Sequence, residues 1–442
     1  MKLHFRSVDG SILSVAYHCQ QEGTADISCS IAETEDNARE QYKGLLKFYH
    51  DNWQSRIDRD TVVIFDQISR GEEADRLKDA GIPVIGAGKF NDRLELDRAF
   101  AMEWTQQHGI AIPESWTFTD YNEAVDFIKE YPGRLVFKPS GTLPAETTYV
   151  SQDEGNVDLL YHLERLEHLS KGAEFILQQV IDGIEISTEG WYYKGQLIPP
   201  PNATMEEKKL MTGGLGAGVG CAGNVVWLWD HPGSYMYDHT LKKLEPELVK
   251  EDYTGTLDIN TIYVPEENKL YALEYCPRFG YAGIENLCAM VQAFGSSMSE
   301  VFWLWGMGKL ESIPVVPAIS VAIVITVPRS KDGTVPKHEY IGGNIDYSRF
   351  FWGDVQLDKK SGNLISAGVD GIIATLVETA PTIDEALAKA YTNLDKLILS
   401  NKQYRIDIGC RYKQQFPTIE RVDRKYRQSI QRAASPEMGH NG

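Results

Sequence analysis

Apolar and polar positions alternate with two periods along this chain, and the first hundred residues switch between them. "TVVIF" (61–65) is a continuous β-branched and aromatic run, the mark of a buried strand. "GEEADRLKDAG" (71–81) has helical spacing and stops at a glycine. "IPVIGAG" (82–88) reads as the next strand, and "DRLELDRAFAMEWTQQHG" (92–109) as one long amphipathic helix. This strand–helix–strand order predicts a doubly wound parallel sheet, a Rossmann-like layer over residues 1–109. No G-x-G-x-x-G run stands near its start, so dinucleotide binding is not expected there.

A second segment, 110–190, holds the helix "NEAVDFIKEY" (122–131), the strand "RLVFKPS" (134–140), a helix at 157–169 and the strand "EFILQQVID" (174–182). The third, 191–312, is entered through the strand pattern "ISTEGWYYKGQL". It also contains "TLDINTIYV" and "KLYALEYC", and a helix from about Ile284 to Trp305 closes it. A fourth, 313–425, opens with "VPAISVAIVITVP" and contains the helix "TIDEALAKAYTNLDKLIL" (382–399). The polar end, 426–442, is expected to be a disordered tail. The fold class predicted is α/β and α+β, multidomain.

Composition narrows the function. The formal net charge of −19 argues against nucleic acid as a main partner, because phosphate backbones need basic surface. No apolar run is long enough to span a membrane, and "MKLHFRSVDG" carries no signal-peptide core. Six scattered cysteines without a C-x-x-C pair fit a reducing cytoplasmic setting.

Four stretches can carry chemistry. Lys138 interrupts the apolar strand "LVFKPS", where a charge costs desolvation unless it is used. It is either an edge lysine reaching solvent or a phosphate contact. "QQV" (Gln178, Gln179, Val180) ends a strand and can present a backbone donor and acceptor to an adenine edge. Glu185 follows, placed to accept from ribose hydroxyls. "EEKKLMTGGLGAGVG" (206–220) lacks the P-loop pattern. It is either a mobile connector or a segment whose glycines let backbone N–H groups approach an anion. "ALEYCPRFGYAG" (272–283) puts Glu274 at a strand end with Arg278 just beyond. Asn260 lies beside Glu274 if the two strands form a hairpin, with Asp258 on the same face. Mg²⁺ takes hard oxygen ligands, so Cys276 is a poor one.

In this order the pieces resemble the ATP-grasp superfamily, and within it phosphoribosylamine–glycine ligase, over roughly residues 1–412. "RLVFKPSG" is similar to that family's lysine strand, and "VIDGIEIS" to the segment after its adenine hinge. "EEKKLMTGGLGAG" is similar to its Asp-His-Lys-Arg…Gly-Gly-Met-Gly-Ala loop. "YTGTLDINTIYV…KLYALEYCPRFG" is similar to its Tyr-x-Gly-x-Leu and Glu-Phe-Asn-x-Arg-Phe-Gly strands. "SAGVDGIIATLVETAPTIDEALAKAYTNLDKL" with "RIDIGCRY" is similar to its C-terminal domain.

The resemblance implies an ATP-grasp fold flanked by a Rossmann-like N-terminal domain and a C-terminal α+β domain. It implies ATP and Mg²⁺ (or Mn²⁺) as cofactors and small-molecule carboxylate and amine substrates. It also implies an acyl-phosphate route to an amide, and a monomer or homodimer. By position, Lys138 and Arg278 fall on catalytic and phosphate-binding residues. Arg98 stands where the family has a lysine, Glu185 near the ribose, and Lys208 on the loop lysine. Gly213, Gly214, Leu215, Gly216 and Ala217 fall on the substrate loop, and Glu274, Asn260 and Cys276 on the metal site.

The chain departs from the pattern at "GTLPAETTYV" after Lys138, which carries Glu146 and no second lysine. Further departures are "VDGS" and "FDQI" in the N-terminal domain, Cys276 for asparagine, and "YAG" (281–283) for Asp-Pro-Glu. Three readings stand: a carboxylate–amine ligase with an altered substrate, a divergent phosphoribosylamine–glycine ligase of purine biosynthesis, and a non-catalytic nucleotide-binding or structural relative.

Overall fold

Four parallel strands organise the N-terminal region, as the alternating pattern predicts. The computed structural model describes residues 1–32, 40–49, 52–86, 88–139, 148–170 and 174–434. By internal contacts the chain divides into two compact units. The first is Met1–Asn91, Ser187–Asp258 and Cys276–Gly442, and the second is Asp92–Ile186 with Ile259–Tyr275. The four expected segments therefore map onto two units, each assembled from separate stretches of chain.

The first unit begins with β1 (Lys2–Ser7), α1 (Leu13–Glu22), β2 (Asp26–Ile31), β3 (Thr61–Phe65), α2 (Gly71–Asp79) and β4 (Val84–Ile85). The strands lie in the order β2-β1-β3-β4, all parallel. β3 is buried at every position, which explains its unbroken apolar sequence. Glu72 and Glu73 start α2 and Arg76 and Lys78 end it, charges that complement the helix dipole.

The expected helix over 92–109 is two, α3 (Lys89–Leu96) and α4 (Arg98–Gln107). Asp97 leaves helical geometry between them, and its carboxylate accepts the Phe100 N–H at 3.0 Å. A good N-cap residue restarted the helix where apolar spacing alone ran through.

The second unit continues with β5 (Ser115–Phe118), α5 (Tyr121–Glu130), β6 (Leu135–Pro139), β7 (Tyr149–Val150), α6 (Val157–Ser170) and β8 (Phe175–Gln179). These strands form an antiparallel sheet in the order β5-β8-β6-β7. Its core is Ile128, Leu135, Phe137, Leu163, Phe175 and Leu177 with their neighbours. Asp120 caps α5 by accepting the Asn122 and Glu123 N–H groups.

The strand pattern "ISTEGWYYKGQL" is a hairpin of β9 (Ile184–Tyr193) and β10 (Gln196–Glu206). Lys194 and Gly195, at φ 51° and 77°, make the two-residue turn. Then follow β11 (Lys209–Met211), β12 (Leu215–Gly218), β13 (Gly223–Leu228), α7 (Tyr235–Asp238), α8 (Glu245–Lys250), β14 (Gly255–Val264) and β15 (Lys269–Cys276). The helix expected from about Ile284 to Trp305 is α9 (Gly283–Phe294) and α10 (Met298–Gly306). Gly295 ends the first at φ 90°, and Ser297 caps the second.

The C-terminal portion of the first unit adds β16 (Ile319–Thr326), β17 (Tyr340–Gly343), β18 (Phe350–Trp352), β19 (Val355–Leu357), β20 (Leu364–Ser366) and β21 (Ile372–Ala380). It closes with α11 (Ile383–Asp395), β22 (Leu397–Ile398) and α12 (Cys410–Ala434). In this unit β9-β10-β13-β16-β21-β18 form one antiparallel run, and β19-β20-β17-β22 a small second sheet. The helix expected to reach 399 stops at Asp395, because the next residues pair with β17. α12 carries on to Ala434, so residues 426–434 are helix where a tail was expected, and 435–442 lie outside the described residues. No described helix is long and apolar enough to cross a membrane.

Candidate active site

In the second unit the predicted hairpin exists, and it brings Asn260 to Glu274. Tyr275 is buried on the α4 side of β15. Its hydroxyl lies 2.9 Å from that of Thr105, and its ring packs edge-on to Trp104. Strand alternation sends its neighbours Glu274 and Cys276 to the other face. There the Asn260 amide donates to Glu274 Oε1 at 3.3 Å, and the Arg98 guanidinium lies 4.0 Å from Oε2. The Lys138 ammonium donates to the carbonyl of Leu273, one residue from Glu274, at 3.4 Å. Arg98, Lys138, Asn260 and Glu274, which come from four elements, therefore converge. Glu274 is the most exposed of the Arg98–Glu274 pair, with 40% of its side chain open to solvent, so that ion pair adds little stability by itself.

The donor chemistry of this group fits a hard cation. Glu274 supplies carboxylate oxygens. Asn260 adds a side-chain amide whose N–H is turned to Glu274. The Cys276 thiol does not fit that role, because soft sulfur is a poor partner for Mg²⁺. Among the described residues no cluster of three or more His, Cys, Asp and Glu forms a metal site.

At the expected adenine edge, side chain and backbone are both engaged in hydrogen bonds. The Gln178 side chain donates to the Ser115 hydroxyl at 3.0 Å. The Gln179 and Val180 N–H groups donate to the carbonyls of Glu114 and Arg134. Both backbone donors are engaged, so these two positions have no backbone N–H to give an adenine. The reason is that β8 is an interior strand with partners on both sides. Glu185 lies between buried Ile184 and Ile186 on β9 and so faces the opposite side of that strand. Residues 141–147 of the altered loop after Lys138 lie outside the described residues.

The first unit gathers Lys208, Arg278 and three carboxylates. Burial, then the charges of Glu189 and Glu206, hold the Asp258 carboxyl well above the usual range. Lys208 and Arg278 pull it the other way. Glu189, pushed up to about 7 by burial, accepts from the Trp191 indole at 2.7 Å and the Asn202 amide at 3.3 Å. The Arg278 guanidinium lies 5.1 Å over the ring of Tyr281, a cation–π contact. The Tyr281 hydroxyl receives the Gln67 amide at 2.9 Å, and its carbonyl receives Asn224 at 3.3 Å.

Sequence reading saw "VDGS" and "FDQI" as departures but did not see that they form one cluster. The Ser7 and Ser11 hydroxyls and the Val8 N–H all donate to Asp66. Burial, then the charge of Asp9, pushes that carboxyl up to about 6. The available signal was the one used for Glu274: an acid directly after an apolar strand.

The glycine-rich loop is an exposed hairpin of β11 and β12, turning through Gly213 and Gly214 at φ 77° and 69°. Asp407 tethers it by accepting the Gly213 N–H at 2.8 Å. Arg405, nearly fully buried, binds Asp407, Glu207 and the carbonyl of Lys209. "RIDIGCRY" thus acts as the anchor of this loop, a link that its position far along the chain concealed. Leu215, Gly216 and Ala217 lie on the exposed return strand.

A parallel N-terminal sheet, an antiparallel α+β subdomain and the β14–β15 hairpin belong to an ATP-grasp fold. The chain resembles phosphoribosylamine–glycine ligases. The enzyme of that name from Clostridium acetobutylicum is 21% identical over 358 residues, 75% of this chain and 80% of that one. The one from Leifsonia xyli is 22% identical over 350 residues, 76% and 81% of the two chains. The trifunctional purine biosynthetic protein adenosine-3 of Drosophila pseudoobscura is 26% identical over 381 residues, and only 27% of its length is matched. Among solved structures, the Thermotoga maritima phosphoribosylamine–glycine ligase superposes with a TM-score of 0.70 at 18% identity, covering 92% of this chain and all of that one. The Campylobacter jejuni biotin carboxylase complexed with β,γ-ATP gives 0.61 at 14% identity, over 91% and 92% of the chains. No protein-family model matches the chain.

Proposed function

We propose that this chain is an ATP-dependent carboxylate–amine ligase that works through an acyl-phosphate and releases ADP and phosphate. The observation that carries the reading is the convergence of Arg98, Lys138, Asn260 and Glu274 in the second unit. Lys138 and Arg98 neutralise phosphate charge there, and within the first unit Lys208 and Arg278 are cations for an anionic ligand. Glu274 and Asn260 would hold Mg²⁺, which would supply positive charge against the phosphates. Glu185 serves the ribose, and the carbonyls of Gln178, Gln179 and Val180 serve the adenine edge. Within the first unit, Gly213, Gly214, Leu215, Gly216 and Ala217 offer backbone N–H groups to a carboxylate substrate.

The chemistry then follows two displacements. A carboxylate oxygen attacks the γ-phosphorus, and the bond to ADP breaks. A neutral amine attacks the acyl carbon, phosphate leaves, and the nitrogen loses a proton. The protein contributes position and charge neutralisation at each step. Both partners are small molecules. A monomer or homodimer in the cytoplasm accords with this reading.

A second reading, phosphoribosylamine–glycine ligase itself, is favoured by the names of the relatives and the 80% of the Clostridium protein that the chain covers. The acidic cluster of Asp9 and Asp66 speaks for an altered substrate instead, because carboxylates repel a phosphorylated sugar. The test is heat stability with and without ATP and Mg²⁺, followed by ADP formation across a panel of carboxylates and amines. ADP formed only with glycine and a phosphoribosylamine-generating system supports the second reading. No stabilisation by millimolar ATP supports a non-catalytic relative and overturns both.

A further inference from the structure

The first unit holds a cavity of about 620 Å³ between the β9–β10 turn and α8, and none of the site residues named above lines it. That is the size of a small-molecule site. Turn and helix are closely packed: a Cβ added to Gly195 would lie 2.2 Å from the Val249 nitrogen. Leu197, Pro232, Pro246 and Val249 make the walls apolar.

One carboxylate is set into these walls. Ser234 caps α7 by accepting the N–H of Tyr237, a fully buried residue. The Tyr237 hydroxyl donates to Glu245 Oε1. Its proton is committed there, so it accepts from the hydroxyl of Tyr192, also fully buried, at 3.3 Å. Two buried hydroxyls in series therefore orient Glu245. Among the described residues its one hydrogen bond is at Oε1, which leaves Oε2 open to a ligand.

The other polar side chains of the lining add no uncommitted charge. The Lys242 ammonium is bonded to Asp238 Oδ1 at 3.1 Å, and Asp238 Oδ2 accepts from Tyr426. The His231 ring packs edge-on to Tyr237, and desolvation there lowers the imidazole from its ordinary value, so it is neutral at pH 8.

We propose that this cavity binds an organic cation: an ammonium or guanidinium head on Glu245 Oε2, with a short apolar body along Leu197 and Val249. The site goes beyond the ligase reading and does not rest on it.

The experiment is calorimetric titration of the full chain at pH 8 with n-pentylamine, 1-pentanol and valerate, which share a body and differ in charge. Pentylamine is expected to bind about tenfold or more tightly than the other two. Glu245→Gln keeps an oxygen for the Tyr237 hydroxyl and removes the charge. It is expected to bind pentylamine about tenfold more weakly or worse. Val249→Lys, at an exposed position of α8, adds an opposing charge to the wall and is expected to weaken pentylamine in the same direction.

Four results overturn the proposal. One is no binding of pentylamine at about 10 mM. Valerate binding best assigns the cavity to anions, through Lys242. Pentanol binding as well as pentylamine makes it an apolar hollow in which Glu245 plays no part. Pentylamine binding that both variants leave unchanged puts the amine elsewhere on the protein. Should Glu245→Gln fail to fold, Val249→Lys and the comparison of the three probes decide.

Discussion

The side-chain amide of Asn260 donates to the carboxylate of Glu274 at 3.3 Å, from one strand of a hairpin to the next. Replacing that amide by a carboxylate puts two like charges side by side. Asn260→Asp is expected to lose up to about 1 kcal/mol of stability in chelator, and to regain it, with excess, when Mg²⁺ is added. Melting curves in EDTA and in Mg²⁺ measure both effects. A variant that is indifferent to Mg²⁺ removes this pair from the metal assignment.

Lys138 reaches the Leu273 carbonyl, beside Glu274, from the middle of an apolar strand. Lys138→Ala and Glu274→Ala are each expected to lower ADP formation by about 10²–10³-fold, the scale of removing one group that stabilises transition-state charge. Turnover assays with the substrate pair found by screening check this, with melting curves to show that both variants fold. Undiminished turnover in either variant removes that residue from the catalytic site.

Cys276 shares the Glu274 face of β15 and is only partly buried. Cys276→Asn restores an oxygen donor at that position. Tighter Mg²⁺-dependent binding of ATP is the expected outcome, read by titration at several Mg²⁺ concentrations. Equal affinity in the two proteins means that this chain holds its nucleotide without a donor there.

Asp407 joins the Gly213 N–H to Arg405. Asp407→Ala removes a charge-assisted bond from the hairpin and one carboxylate from a nearly buried arginine, a loss of about 1–3 kcal/mol. Limited proteolysis is expected to cut within 211–219 sooner than in the wild type. An unchanged cutting pattern shows that the β11–β12 hairpin is held by its other contacts.

Much of this architecture was legible along the chain, for physical reasons. β3 is a run whose burial dictates its residue types, and Glu274 stood out because an acid interrupts the apolar sequence of β15. Helix ends were less legible. Asp97 and Gly295 each stop a helix that apolar spacing carries straight through, because capping and left-handed backbone act locally and leave periodicity unchanged. The pairing at the expected adenine edge was hidden for a different reason. Whether the Gln179 and Val180 N–H groups are available depends on which strands flank β8, and that is a tertiary fact. The same holds for Asp407 and Gly213, which meet across a long stretch of sequence.

Glu285 on α9 accepts from the Ser14 hydroxyl at 3.0 Å, and its second oxygen has no hydrogen-bond partner among the described residues. Burial pushes this carboxyl up to about 7 from its ordinary 4.5. The folded protein therefore keeps the proton to a higher pH than the unfolded chain does. The resulting stability is fully present below about pH 4.5 and is lost as pH rises through about 7. Glu285→Gln is neutral at every pH and escapes that loss. The variant is expected to melt close to the wild type near pH 4.5, and progressively higher than it up to pH 8. Glu189 and Asp66, raised to about 7 and about 6, keep a residual slope of the same sign in the variant. A melting difference that does not change between pH 4.5 and pH 8 means that Glu285 is not held protonated by its burial against Ser14.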